Sequence, residues 1–220
     1  MSNKPQKKSD LNKQWMSSRR NREIMIAPEY HLIVTEGTKT EPQYFKALKD
    51  EINRKYPGRV SIDIQGIGEG TVKLLERAQK IIGSSPNEYK HVWLVYDKDD
   101  FPSEDFDSTA AKCTEISDSN VTYHALWSNE CIEYWFLLHF EYLQSAICRK
   151  KYYPKLTKHL GYKYKKNSDK IYDELKPNLG TAIKNAKKIE KSFSDLQPSQ
   201  CTPGTKVYEL FEKLINYISQ

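Results

Sequence analysis

Cysteine pairs, long apolar runs and internal repeats are all missing from this 220-residue chain. Cys113, Cys131, Cys148 and Cys201 are far apart and form no C-x-x-C pair, which argues against a zinc ribbon and against a disulfide framework. No stretch approaches the ~20 apolar residues that cross a bilayer, and the opening MSNKPQKKSDLNKQW carries no hydrophobic segment of the signal-peptide type. A soluble, cytoplasmic protein without membrane association is the expectation. No period of about 20–50 residues recurs, which argues against a solenoid. The glycine-rich GIGEG at 66–70 does not fit G-x-G-x-x-G, so it reads as a tight strand-to-helix turn rather than a dinucleotide fingerprint.

What is present describes a globular protein: 38% hydrophobic and 12% aromatic residues over a length that suits one domain, or one domain with a modest extension. The net charge of +6 conceals opposed segments. Residues 1–23 hold seven basic and two acidic side chains, a net +5. Residues 24–148 hold 12 basic and 20 acidic, a net −8, whereas 149–191 hold 14 basic and 4 acidic, a net +10. Charge runs are usually solvated faces. Ten net charges in 43 residues, interleaved with Tyr152, Tyr153, Tyr162, Tyr164 and Tyr172, also suit phosphates met by lysine and bases stacked on tyrosine. Tyrosines at helical spacing are, however, more often packing residues.

Residues 1–23 are polar and lack an apolar period, so they read as a mobile arm. YHLIVTEG (30–37) then reads as a strand, and Tyr44, Phe45, Leu48 and Ile52 place a helix over 40–54. The unit recurs as strand 59–65 and helix 72–82, then as strand 91–97, helix 106–116 and strand 121–127. Strands alternating with helices imply an α/β fold with a mostly parallel, Rossmann-like sheet flanked by helices. Ser128 and Asn129 are N-cap types ahead of a helix presenting Ile132, Trp135, Phe136, His139 and Phe140 on one face. Helices are expected at roughly 150–160, 168–175, 178–193 and 206–217. The expected organisation is a basic arm (1–23), an α/β core (24–145) and a basic helical C-terminal extension (146–220).

In open α/β sheets ligands bind beyond the carboxyl ends of the strands. Glu36 closes the first strand, and Asp97, Asp99 and Asp100 follow the third. Asp97 and Asp99 point the same way on an extended segment, and Glu36 reaches them if strands 1 and 3 are neighbours. A lone D-x-D is more often a solvated turn, and Glu36 alone would be ordinary. Together, three carboxylates without cysteine or histidine suit a hard cation, Mg²⁺ or Mn²⁺, that also binds phosphate oxygens. Thr38, Lys39, Thr40 and Glu41 stand at a helix N-terminus, where backbone N–H groups and Lys39 can hold a phosphate; an N-cap by Thr40 explains the stretch equally well.

These residues resemble something known. Glu36 in the T-E-G turn and D-K-D-D after a hydrophobic strand look like the Toprim domain of topoisomerases, primases and nucleases. TEGTKTEPQYF (35–45), VYDKDDF (95–101) and SNECIEYWFLLHF (128–140) together resemble the RloB-like family of bacterial Toprim proteins found at defence loci. Glu130 stands where that pattern leads one to expect proline. The resemblance implies a Toprim-like sheet and a metal-dependent nuclease. Glu36, Asp97 and Asp99 would be its catalytic and metal-binding residues, with Asp100 as a further metal-ligand candidate. It implies a DNA or RNA substrate, tRNA included, a role in anti-phage defence and an ATPase partner. Ser128, Asn129 and Glu133, which the third motif contains, are candidates to border the cleft, although Glu133 also suits an exposed helix position. Lys39, Lys163, Lys165 and Lys166 are the candidate phosphate-binding residues. The rival reading is a non-catalytic adaptor that binds nucleic acid or an ATPase, and oligomeric state stays open.

Overall fold

The computed structural model describes residues 29–56, 60–66, 71–193 and 195–218. The 1–23 arm and residues 67–70 of the GIGEG turn lie outside them. Four strands, β1 (Glu29–Thr35), β2 (Val60–Gly66), β3 (Tyr89–Asp97) and β4 (Thr122–Asn129), pair in parallel. Helices α1 (Thr40–Lys55), α2 (Thr71–Ser84) and α3 (Ser103–Ile116) connect them. A two-residue strand, β5 (Gly204–Thr205), adds antiparallel to β4, and the order across the sheet is β2-β1-β3-β4-β5. The chain therefore turns outward from β1 to β2 and then back to β3, which puts the topological switch between β1 and β3.

Both faces of the sheet are buried, and the two-residue period sorts the side chains. Leu32, Val34, Val92, Leu94 and Tyr96 pack with Leu74, Ala78 and Phe106 of α2 and α3. Ile33, Trp93, Val95 and Leu126 face the other way, onto a larger core. There α1 supplies Tyr44, Phe45, Leu48 and Ile52, all essentially inaccessible. The remaining cover comes from α4 (Glu133–Leu137), α5 (Tyr152–Leu160), α6 (Ile171–Leu175), α7 (Leu179–Glu190) and α8 (Tyr208–Ile218). Trp135 Nε1–H donates to Tyr44 Oη at 3.0 Å, and Tyr44 packs on Phe136, Tyr172 and Phe211. Residues on both sides of position 145 thus share one core, so the C-terminal helices are the cover of a sheet face rather than an appendage to it.

Two local expectations are corrected. Ser128 and Asn129 do not cap a helix; β4 runs on through them to pair with β5, Ser128 opposite Thr205 and Asn129 opposite Gly204. The expected amphipathic helix is a five-residue α4, and every residue from Cys131 to His139 is buried. A continuous apolar run satisfies a helical period without forming a long helix. The Asn129–Glu130 peptide is cis. All four cysteines are free, and no helix among the described residues is long and apolar enough to cross a membrane.

Candidate functional site

The carboxyl ends of β1 and β3 open into a cleft of ≈ 390 Å³ lined by Glu36, Lys39, Glu41, Asp97, Asp99, Glu133 and Lys166, among others. Five carboxylates thus meet at the switch point. Parallel pairing of β1 with β3 sets Glu36 beside Asp97: the Asp97 N–H donates to Glu36 Oε2 at 3.3 Å, and the Glu36 N–H donates to Val95 O at 2.9 Å. Asp97 follows Trp93 and Val95 on the face covered by the C-terminal helices, so its carboxyl points under that cover. Asp99 adopts φ 36°, in the left-handed region that aspartate tolerates, and its N–H donates to Glu130 O at 3.0 Å.

Glu41 was not singled out as a site residue by its sequence context, yet it lines the cleft from the first turn of α1. Gly37 makes room for it, since a Cβ there would lie 2.1 Å from Glu41 Oε2. Neither Thr40 nor Lys39 caps α1 through its side chain. Thr40 Oγ1 instead bonds Asn167 Oδ1 at 2.9 Å, tying α1 to the loop that follows α5. On that loop Tyr164 is buried and its hydroxyl donates to Glu133 Oε1 at 3.2 Å. Lys166, two residues on, comes within 3.9 Å of the same oxygen and lies over the Tyr153 ring. Glu133, with only 1% of its side chain exposed, therefore sits in the cleft wall, not on an exposed helix face.

Burial sets the electrostatics. Glu36 is pushed up to about 7, chiefly by burial and further by Asp99 and Glu41, against the Asp97 N–H bond. Asp97 is driven well above the usual carboxylate range by burial and then by Glu41, Glu133 and Asp99. Glu41 is raised as well, mainly by burial, with Glu133 adding and Lys166 opposing. Among the described residues Asp97 Oδ1 and Glu133 Oε2 are buried without a hydrogen-bond partner. Native proteins rarely leave such atoms unsatisfied, and an ion is one of the standard explanations.

The other expected residues lie elsewhere. The Asp100 side chain is 91% exposed and paired with Arg149 Nη2 at 2.7 Å, outside the cleft lining. Ser128 bonds Thr205 Oγ1 at 3.0 Å, and Asn129 Nδ2 donates to Ser199 O at 3.0 Å, so both serve the β4–β5 edge. Lys163 and Lys165 are exposed and do not line the cleft. Five of the fourteen basic side chains of 149–191 meet a carboxylate: Arg149, Lys155, Lys166, Lys176 and Lys187. Tyr152, Tyr164 and Tyr172 are core residues, which removes three of the five candidate stacking rings.

The donor set suits a hard divalent cation: it is all oxygen, contains two orphaned buried atoms, and no histidine or cysteine lines the cleft. Among the described residues no group of three His, Cys, Asp or Glu side chains stands ready to hold an ion, and one Asp99 oxygen is taken by Arg149.

A mostly parallel α/β sheet with carboxylates and lysines gathered at its switch point places the chain in the doubly wound class. The RloB-like protein family model matches residues 31–214, and the chain belongs to that family. No curated protein and no solved structure matches it.

Proposed function

We propose that this protein is a Toprim-type nuclease that uses Mg²⁺ or Mn²⁺ to cleave phosphodiester bonds of DNA or RNA, tRNA included, in anti-phage defence under control of an ATPase partner. The observation that carries the chemical part is the cleft itself: five carboxylates gathered beyond the carboxyl ends of β1 and β3, two of them with buried oxygens that no group among the described residues satisfies. The defence role and the ATPase rest on the family resemblance alone.

Glu36 and Asp97 would hold the ion, with Asp99, Glu41 and Glu133 within the same cleft. A bound divalent ion polarises a scissile phosphate and activates water at neutral pH. Lys39 and Lys166 supply the cations that meet phosphate oxygens beside the acids. Glu36, held up to about 7 by burial before any ion binds, would give up its proton on taking a cation, so ion uptake would strengthen as pH rises. The C-terminal cover keeps Glu133 out of bulk water and leaves Asp97 half-buried, which strengthens the charge interactions at this wall.

The non-catalytic adaptor is a second reading, favoured by the lack, among the described residues, of a ready three-residue cation site and by the pairing of Asp99 with Arg149. Purified protein offered labelled DNA, RNA and tRNA with Mg²⁺, Mn²⁺ or chelator separates the two. Cleavage that needs the ion and Asp97 supports the nuclease. No cleavage of any substrate, with defence intact in Asp97→Ala cells, favours the adaptor.

A further inference from the structure

Arg149 opens the basic C-terminal stretch but does not face solvent freely. Its guanidinium bonds Asp99 Oδ1 through Nη1 and Asp100 Oδ2 through Nη2. Its backbone N–H donates to Glu130 Oε2 at 2.9 Å, while Glu130 O accepts the Asp99 N–H. Glu130 thus holds the backbones of Arg149 and Asp99 in place, whereas the side-chain contacts are exchangeable. The Arg149, Asp99 and Asp100 side chains are 32%, 40% and 91% exposed, and ion pairs so accessible to water are weak. Arginine also forms bidentate bonds to phosphate, for which its planar fork is suited.

We propose that Arg149 is a phosphate-responsive positioning residue: in the free protein it occupies Asp99, and a bound phosphodiester draws its guanidinium away and releases Asp99 to the cation. This rests on the cation reading above. Each ligand then tightens the other, because a cation that takes Asp99 also frees Arg149 for phosphate. The exchange couples ion uptake to the presence of nucleic acid.

Mn²⁺ titration followed by electron paramagnetic resonance tests the first half. Without nucleic acid, Arg149→Met should bind Mn²⁺ about threefold or more tighter than wild type, the small size reflecting the weakness of exposed ion pairs. Equal or weaker binding overturns the proposal. Asp97→Asn serves as control: if it and the wild type take up Mn²⁺ identically, the cation reading fails and the inference falls with it. Fluorescence anisotropy of a labelled single-stranded RNA of about 12 nucleotides tests the second half, with Ca²⁺ as a non-cleaving ion at fixed ionic strength. Ca²⁺ should tighten RNA binding more in the wild type than in Arg149→Met. Equal tightening in the two proteins overturns the exchange.

Discussion

The two ends of the sheet gather polar side chains to opposite effect. At the amino end, His31, His91 and His124 lie on adjacent strands beside Glu29 and Lys213. Their protons can be assigned from acceptors alone. His91 Nε2 lies 2.9 Å from Glu29 Oε1, which only accepts, so that nitrogen carries the proton and Nδ1 accepts from His124 Nε2–H at 3.0 Å. Trp93 Nε1–H donates to His31 Nδ1 at 3.1 Å, which leaves the His31 proton on Nε2, facing Glu29 Oε2 at 3.5 Å. The lone pairs of His91 and His31 are thereby taken by His124 and Trp93. At the carboxyl end the acids face one another, and buried oxygens go without partners. The amino-end cluster is closed except at His31 Nε2, which is buried with no hydrogen-bond partner among the described residues, whereas the carboxyl end leaves two carboxylate oxygens open and crowds their charges together.

The sharpest way to break this contrast is to remove one acid from the open end. Asp97→Asn should lower ion-dependent cleavage by at least about 10²-fold, since even outer-shell changes at metal sites cost 10–100-fold. Its thermal midpoint near pH 8 should be unchanged or higher, because a desolvated carboxylate crowded by Glu41 and Glu133 is gone. A large fall in the midpoint would make Asp97 a structural residue. In the wild type, Mg²⁺ or Mn²⁺ at 100 times its dissociation constant should stabilise the fold by about 2.7 kcal/mol, read by calorimetry, and should not do so in Asp97→Asn.

The closed end predicts the reverse pattern. Glu29→Ala strips the acceptor from His91 and the counter-ion from Lys213, and it should cost about 1–3 kcal/mol in denaturant unfolding. Cleavage per folded molecule should be unaffected below the midpoint.

pH separates the ends by sign. His31 and His124 are held down to about 4 by burial, from 6.5, so their contribution is full above pH 6.5 and is lost as pH falls through 4. Glu36 is raised from 4.5 to about 7, so its contribution is full below pH 4.5 and is lost as pH rises through 7. A Glu36→Gln, Asp97→Asn protein should therefore lose thermal stability more steeply than wild type between pH 6.5 and 4. Equal slopes would mean that the two ends do not oppose each other. The smallest effect belongs to the exposed lysines. Lys163→Glu with Lys165→Glu should weaken nucleic-acid binding and lower its log–log salt slope, read by anisotropy, while leaving Mn²⁺ affinity unchanged.

Much of the sheet was legible because both faces are buried, so β1 and β3 read as apolar runs ending in acids. Glu36 and Asp97 come together because β1 and β3 are neighbours, a property of doubly wound order, whereas Asp99 lines the cleft from a left-handed turn and not from the extended segment its spacing suggested. Glu41 was hidden by its place in a helix first turn, where an acid needs no further explanation. The separate positions of Arg149 at the rim and Lys166 in the cleft were hidden because both depend on how the C-terminal helices fold back over the sheet. The β4–β5 edge left no signal, since two residues carry no period.

The shared core also bears on synthesis. Trp135, Phe136 and Tyr44 have no cover until α6 to α8 are made, and Lys166 reaches the cleft only by the loop that Tyr164 anchors on Glu133. On the ribosome the acidic strand ends therefore emerge well before the groups that bury and balance them. A nascent chain stalled ahead of α5 carries the motif acids without the tyrosine and lysine that complete the cleft wall.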